Sequence, residues 1–117
     1  MNGKRRKVLH KVLDGLERLR DPIMDTMTAL DILRESKSKV ETIMDEEEDS
    51  INARPENLIW STVTANMQDN LSDLTDAHGD LECAIADCEK MRGFDYSIIE
   101  TDICNIVYAI NLTIYRR

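Results

Sequence analysis

Four carboxylates are spaced for chemistry on a metal-bound phosphate. Asp45 and Glu48 stand three residues apart, as do Asp73 and Asp76. Residues three apart share a helix face. Two such pairs on antiparallel helices would set oxygen donors around magnesium, the ion that neutralises a nucleotide's phosphates. Aspartates at three of the four positions shorten the reach. The spacing also has a plainer meaning: Asp69, Asp73, Asp76 and Asp80 recur at i, i+4, i+7 and i+11, which describes a solvated acidic face. No cofactor is therefore expected, with magnesium as the alternative.

Other reactive residue types form no comparable set. His78 falls among leucines with no cysteine three or four residues away, which fits a packed or hydrogen-bonded histidine better than a metal ligand. Cys83, Cys88 and Cys104 are odd in number and lack C-x-x-C spacing, so a reduced cytosolic chain is expected. Cys83 and Cys88 differ by five with no base nearby, so those two read as buried thiols. Lys4, Arg5, Arg6 and Lys7, followed by Lys11, could meet phosphates, but no aromatic residue accompanies them for base stacking. Pairing with the chain's own acids is the competing role. There is no Gly-rich phosphate loop and no G-x-S-x-G.

The elements that must position these groups are helices. The 117 residues are 42% hydrophobic but only 4% aromatic, with four glycines and two prolines, so turns are few and aliphatic seams must do the packing. Leu9, Val12, Leu16, Leu19, Ile23, Leu30, Leu33, Val40 and Met44 keep to alternating spacings of three and four, broken only at Thr26 and Lys37. Asp21-Pro22 interrupts the chain within that seam. Because the register continues through it, a kink or tight break rather than a reversal is predicted, with helices over 4–20 and 22–50.

The clearest interruption is Asp45–Trp60, where five consecutive acids lead into Ser50, Asn52 and Pro55. It reads as the elbow (51–60) of an antiparallel hairpin, with Trp60 closing its end or, if exposed, offering a partner a hot-spot residue. A helix over 61–92 follows, its stripe Val63, Met67, Leu71, Leu74, His78, Leu81, Ile85 and Cys88, with Ala77, Gly79 and Ala84 open to close approach by another helix. Ser97–Glu100 matches a capping box for a last helix over 97–116. Its isoleucines Ile99, Ile103, Ile106, Ile110 and Ile114 form a face wide enough to be covered by the hairpin, by a second chain, or by both. The expected fold is all-α: an antiparallel helical hairpin or small helical bundle with coiled-coil-like seams, a single domain, and a homo-oligomer through those isoleucines.

Charge divides the chain. Residues 1–20 hold seven Lys or Arg against two acids, a formal +5, whereas residues 21–117 hold eight against 21, a formal −13. Such an acidic body repels nucleic acid and attracts basic protein surfaces. No apolar run of about 18 residues is present, so no membrane span is expected.

Glu46-Glu47, Pro55-Glu56-Asn57-Leu58, Leu71-Ser72-Asp73-Leu74 and Leu81-Glu82-x-Ala84-Ile85 resemble a family of small helical proteins from Firmicutes and their phages. Its members pair a Lys/Arg-rich start with an acidic stretch, a Pro-Glu turn and a Leu/Ala/Glu helix. The resemblance covers about residues 45–89 and implies a helical hairpin of mobile-element origin, located in the cytosol of the host. It carries no established function. Separately, the carboxylate pairs resemble the E-x-x-E and E-x-x-D motifs of all-α nucleotide pyrophosphohydrolases of the MazG kind, which would imply magnesium-dependent hydrolysis.

The leading functional expectation is a non-enzymatic interaction protein. It would bind or inhibit a host protein, such as a nucleic-acid-binding defence nuclease, through Glu46, Glu47, Glu48, Asp49, Trp60, Asp69, Asp73, Asp76 and Asp80. The alternatives are the MazG-like enzyme, with Asp45, Glu48, Asp73 and Asp76 on magnesium, and a sponge for a signalling nucleotide held by Lys4, Arg5, Arg6 and Lys7.

Overall fold

Each of the four long helices begins at a polar side chain that accepts a backbone N–H the helix itself cannot satisfy. The computed structural model, which describes residues 1–116, places α1 at Gly3–Glu17, α2 at Thr26–Asn52, α3 at Thr62–Glu89 and α4 at Tyr96–Tyr115. Asn2 caps α1 by accepting from Arg5 N at 2.9 Å, and Asp25 caps α2 by accepting from Thr28 N at 2.7 Å. Ser61 caps α3 and Asp95 caps α4. The cap of α4 is thus Asp95, which takes both the N–H and the hydroxyl of Ser97, rather than a box opened by Ser97.

Cross-helix contacts show the direction of each neighbour. Arg5 near the start of α1 meets Glu46, Glu47 and Ser50 near the end of α2. Glu41 of α2 meets His78 of α3. Arg116, just past α4, meets Asn70 and Asp73 of α3, and His10 of α1 stacks edge-on against Tyr115 of α4. Arg34 near the start of α2 also reaches Glu89 at the end of α3, and Arg20 after α1 reaches Tyr96 at the start of α4. All four pairs therefore run antiparallel, and the chain is an up-down-up-down four-helix bundle. No strand occurs among the described residues.

The first connection corrects an expectation. At Asp21–Pro22 the chain reverses instead of kinking. A 3-10 turn at Arg18–Arg20 ends at Asp21, whose side chain accepts from Ile23 N at 3.0 Å, and the next helix waits until Asp25 can cap it. The apolar spacing that runs through this point is carried by Ile23, which is 87% exposed. A periodic pattern in sequence therefore passed straight through a turn.

The core is aliphatic and drawn from all four helices. Leu9, Val12 and Leu16 of α1 meet Leu33, Val40 and Ile43 of α2, Leu74, Leu81 and Cys88 of α3, and Ile99, Ile106 and Ile110 of α4. Burial pushes the Cys88 thiol pKa up, whereas Cys83 and Cys104 are exposed. On α3 the expected stripe is inward at Leu74, Leu81 and Cys88, but in the first turns Thr64 and Asn70 are buried while Val63 faces out. A methyl built on Gly79 would meet nothing within 4 Å, so no helix approaches closely there. Gly79→Ala should therefore raise stability by about 1 kcal/mol, read as a higher denaturation midpoint; an unchanged or lower midpoint would show a constraint at that position.

The oligomer face is also corrected. Ile99, Ile103, Ile106, Ile110 and Ile114 are at most 5% exposed, because α1 and α3 cover them from either side. By length and composition α4 could cross a membrane, yet this apolar face is taken up inside the bundle.

Candidate interaction surfaces

The two middle helices are the longest, and their joint end stands beyond the other two. Arg5 sits level with Glu47, and Arg116 level with Asn70, so the elbow and the first turns of α3 overhang the bundle. That overhang is held by hydrogen bonds centred on Thr64, which is 1% exposed. Its hydroxyl donates to Leu58 O at 2.6 Å and accepts from Arg54 Nε at 3.2 Å. Its backbone N–H donates to Ser61 Oγ at 3.2 Å.

The turn is thereby closed by its own polar groups, and Trp60 is turned out. Trp60 is 94% exposed, with Val63 at 56% and Ile59 at 40% alongside. The expectation that Trp60 closes the hairpin end is overturned: Thr64 closes it, and the indole stands in solvent.

The acidic residues sort into three environments. Glu48, Asp49, Asp69 and Asp76 are exposed, and Asp73 and Asp80 are half-buried. Glu47 departs from the expected surface role, because its carboxylate is completely buried. Arg5 donates to Glu46 Oε2 at 3.0 Å, to Glu47 Oε1 at 3.2 Å and to Ser50 Oγ at 3.2 Å. One cation of the basic arm is thus committed to the chain's own acids and unavailable to a phosphate. Lys4 and Lys7 are exposed, and Arg6 is half-buried with its Nε enclosed.

The carboxylate pairs do not converge. Asp73 and Asp76 line a groove against α4, and Asp73 lies 2.7 Å from Arg116, close in charge though not aligned as a hydrogen bond. Asp45 and Glu48 are exposed on α2. Among the described residues, no group of three or more His, Cys, Asp or Glu side chains is placed to hold a metal ion.

His78 is half-buried and hydrogen-bonded, bridging α2 and α3. Its Nε2 lies 2.7 Å from Glu41 and its Nδ1 3.0 Å from Glu82. The hydrogen bond from His78 holds the Glu41 carboxyl below the usual range. That part of the stability is present above the ordinary carboxylate range and is lost as the pH falls through the depressed value.

Across the α3–α4 groove the shifts have the opposite sign. Burial, then the neighbouring Asp76, pushes the Asp80 carboxyl up. Burial, then Asp80 and Asp87, does the same to Asp102. A folded carboxyl with a raised pKa binds more protons than its unfolded counterpart, so stability falls as pH rises through the raised value and stays lowered at neutral pH. Asp80→Asn and Asp102→Asn should each raise the thermal midpoint at pH 7, and the gain should vanish below the ordinary carboxylate range. A drop at pH 7 would mean that these carboxylates are held by favourable contacts.

Comparison with protein-family models, curated proteins and solved structures finds no significant match to this chain. Function must be argued from the surfaces alone.

Proposed function

We propose that this chain is a non-enzymatic helical protein that binds another protein, using the elbow as its point of engagement. One observation carries the reading: an almost fully exposed Trp60 on a turn whose own polar groups are satisfied. Tryptophan is the residue most enriched at binding hot spots. Leaving it in water beside Ile59 and Val63 forgoes burial that the fold could have used. Glu48, Asp49 and Glu56 lie close by in the chain and are exposed, so the surrounding charge favours a basic partner. Inhibition of a nucleic-acid-binding host protein, by occupying its basic groove, is the specific form this reading takes.

Self-association is no longer needed, because the isoleucine face that motivated it is buried within the chain. Magnesium-dependent hydrolysis and nucleotide sequestration have no comparable support, since the carboxylate pairs stay apart and Arg5 is engaged. Affinity capture from host lysate tests the proposal with wild type and Trp60→Ala side by side. A protein retained by wild type and lost with the variant supports it. Equal retention by both, or none by either, counts against it.

A further inference from the structure

A second surface, away from the elbow, carries a pattern that the Trp60 reading does not use. Between α3 and α4 lies a groove of about 340 Å³, walled by Asp73, Asp76 and Asp80 on one side and by Asn105, Tyr108 and Leu112 on the other. A second depression of about 380 Å³ shares Tyr108 and Leu112 and reaches Tyr115. Tyr108 and Tyr115 are 68% and 69% exposed, and Leu112 is 37% exposed. These three stand at i, i+4 and i+7, forming one ridge about 10 Å long on the outside of α4.

Scattered apolar side chains on a surface need no explanation. An apolar ridge running beside an acidic wall specifies its occupant more narrowly. The ridge needs apolar side chains at matching helical spacing, and the wall needs cations beside them. A duplex or an anionic bilayer would set phosphates against carboxylates. A second copy of this chain fits poorly, because its basic helix exposes Lys4, Lys7 and Lys11 while its apolar residues Leu9 and Val12 are buried. The acidic wall continues through Asp87, which with Asp80 crowds Asp102. From Asp73 to Asp87 it spans about 21 Å, the length of a four-turn helix.

We propose that the α3–α4 groove docks a basic amphipathic helix of a partner protein. Its apolar side lies over Tyr108, Leu112 and Tyr115, and its lysines or arginines lie along Asp76 and Asp80. Asp73 is already engaged by Arg116 and marks the end of the groove. Burial first and neighbouring aspartates second push the carboxyls of Asp80 and Asp102 up, and the partner's cations would offset the like-charge part. This inference rests on the reading of the chain as a protein-binding module, but it uses a different face from Trp60.

The probe is a labelled synthetic peptide of about four helical turns with a leucine stripe flanked by lysine and arginine. Its fluorescence anisotropy is followed against the full chain at physiological salt. A scrambled peptide of the same composition is the control. The expected result is saturable binding of the striped peptide. Affinity should fall about tenfold or more in Tyr108→Ser/Leu112→Ser and in Asp76→Asn/Asp80→Asn and be unchanged in Trp60→Ala, with circular dichroism confirming that each variant is folded.

Absence of binding overturns the groove proposal and leaves the elbow reading standing. So does loss of binding in Trp60→Ala with the groove variants unaffected, which would move the site to the elbow. Equal binding of the scrambled peptide overturns it as unspecific attraction. Self-association in sedimentation that disappears in the groove variants overturns it in favour of a second copy. Groove binding that persists while Trp60→Ala retains every lysate partner would refute the elbow reading alone.

Discussion

Arg5→Ala should lower the unfolding free energy by about 3–5 kcal/mol, far more than a surface ion pair contributes. The reason is Glu47. Its side chain has no exposure, its Oε1 is held by Arg5, and its Oε2 has no hydrogen-bond partner. Removing the guanidinium would leave a carboxylate buried with nothing to balance it, and the desolvation penalty would then stand alone. Glu46, with a side chain 43% exposed, can rehydrate and adds little.

The same argument predicts a rescue. Arg5→Ala combined with Glu47→Leu should recover most of the loss, since a buried pair replaced by apolar groups is often neutral or better. Denaturant unfolding of wild type, both single variants and the double gives the coupling directly. A cost below about 1 kcal/mol for Arg5→Ala would show that water reaches Glu47 and that the clasp between α1 and α2 is a surface contact.

That clasp illustrates what the sequence could and could not disclose. Helical periodicity made the all-α class and the inward sides of α1, α2 and α4 legible, because spacing of three and four maps directly onto a face. Periodicity says nothing about where the chain turns back. Leu9 to Met44 keep their spacing through a reversal at residues 21–25, and the residue that maintains it there is the exposed Ile23.

On α3 the spacing finds Leu74, Leu81 and Cys88 on the inward side but misses the start of the helix, where polar residues occupy inward positions: Thr64 closes the elbow and Asn70 receives Arg116. Both are tertiary hydrogen bonds with no local sequence signal. Charge was legible in total but not in pairing. Five acids in a row look alike, and only the approach of Arg5 from 42 residues away singles out Glu47 as the buried one. Trp60 could be noticed as the lone tryptophan, but whether it closes the elbow or leaves it depends on Thr64.

The isoleucines of α4 pose the remaining ambiguity, since a wide apolar face can be covered by the same chain or by another. Ile106 has no exposure and sits in the core with Leu16, Leu81 and Ile110. Ile106→Ala should therefore lower stability by about 2–5 kcal/mol, through lost burial and the cavity that remains. The outward Tyr108→Ser should stay within about 0.5 kcal/mol of wild type. Protein concentration separates the two ways of covering the face. A core completed within one chain gives a denaturation midpoint independent of concentration, whereas a core completed by a second chain gives one that rises with it. The structure predicts the first behaviour for wild type and Ile106→Ala alike. A midpoint that climbs with concentration would mean that the apolar side of α4 belongs to an assembly.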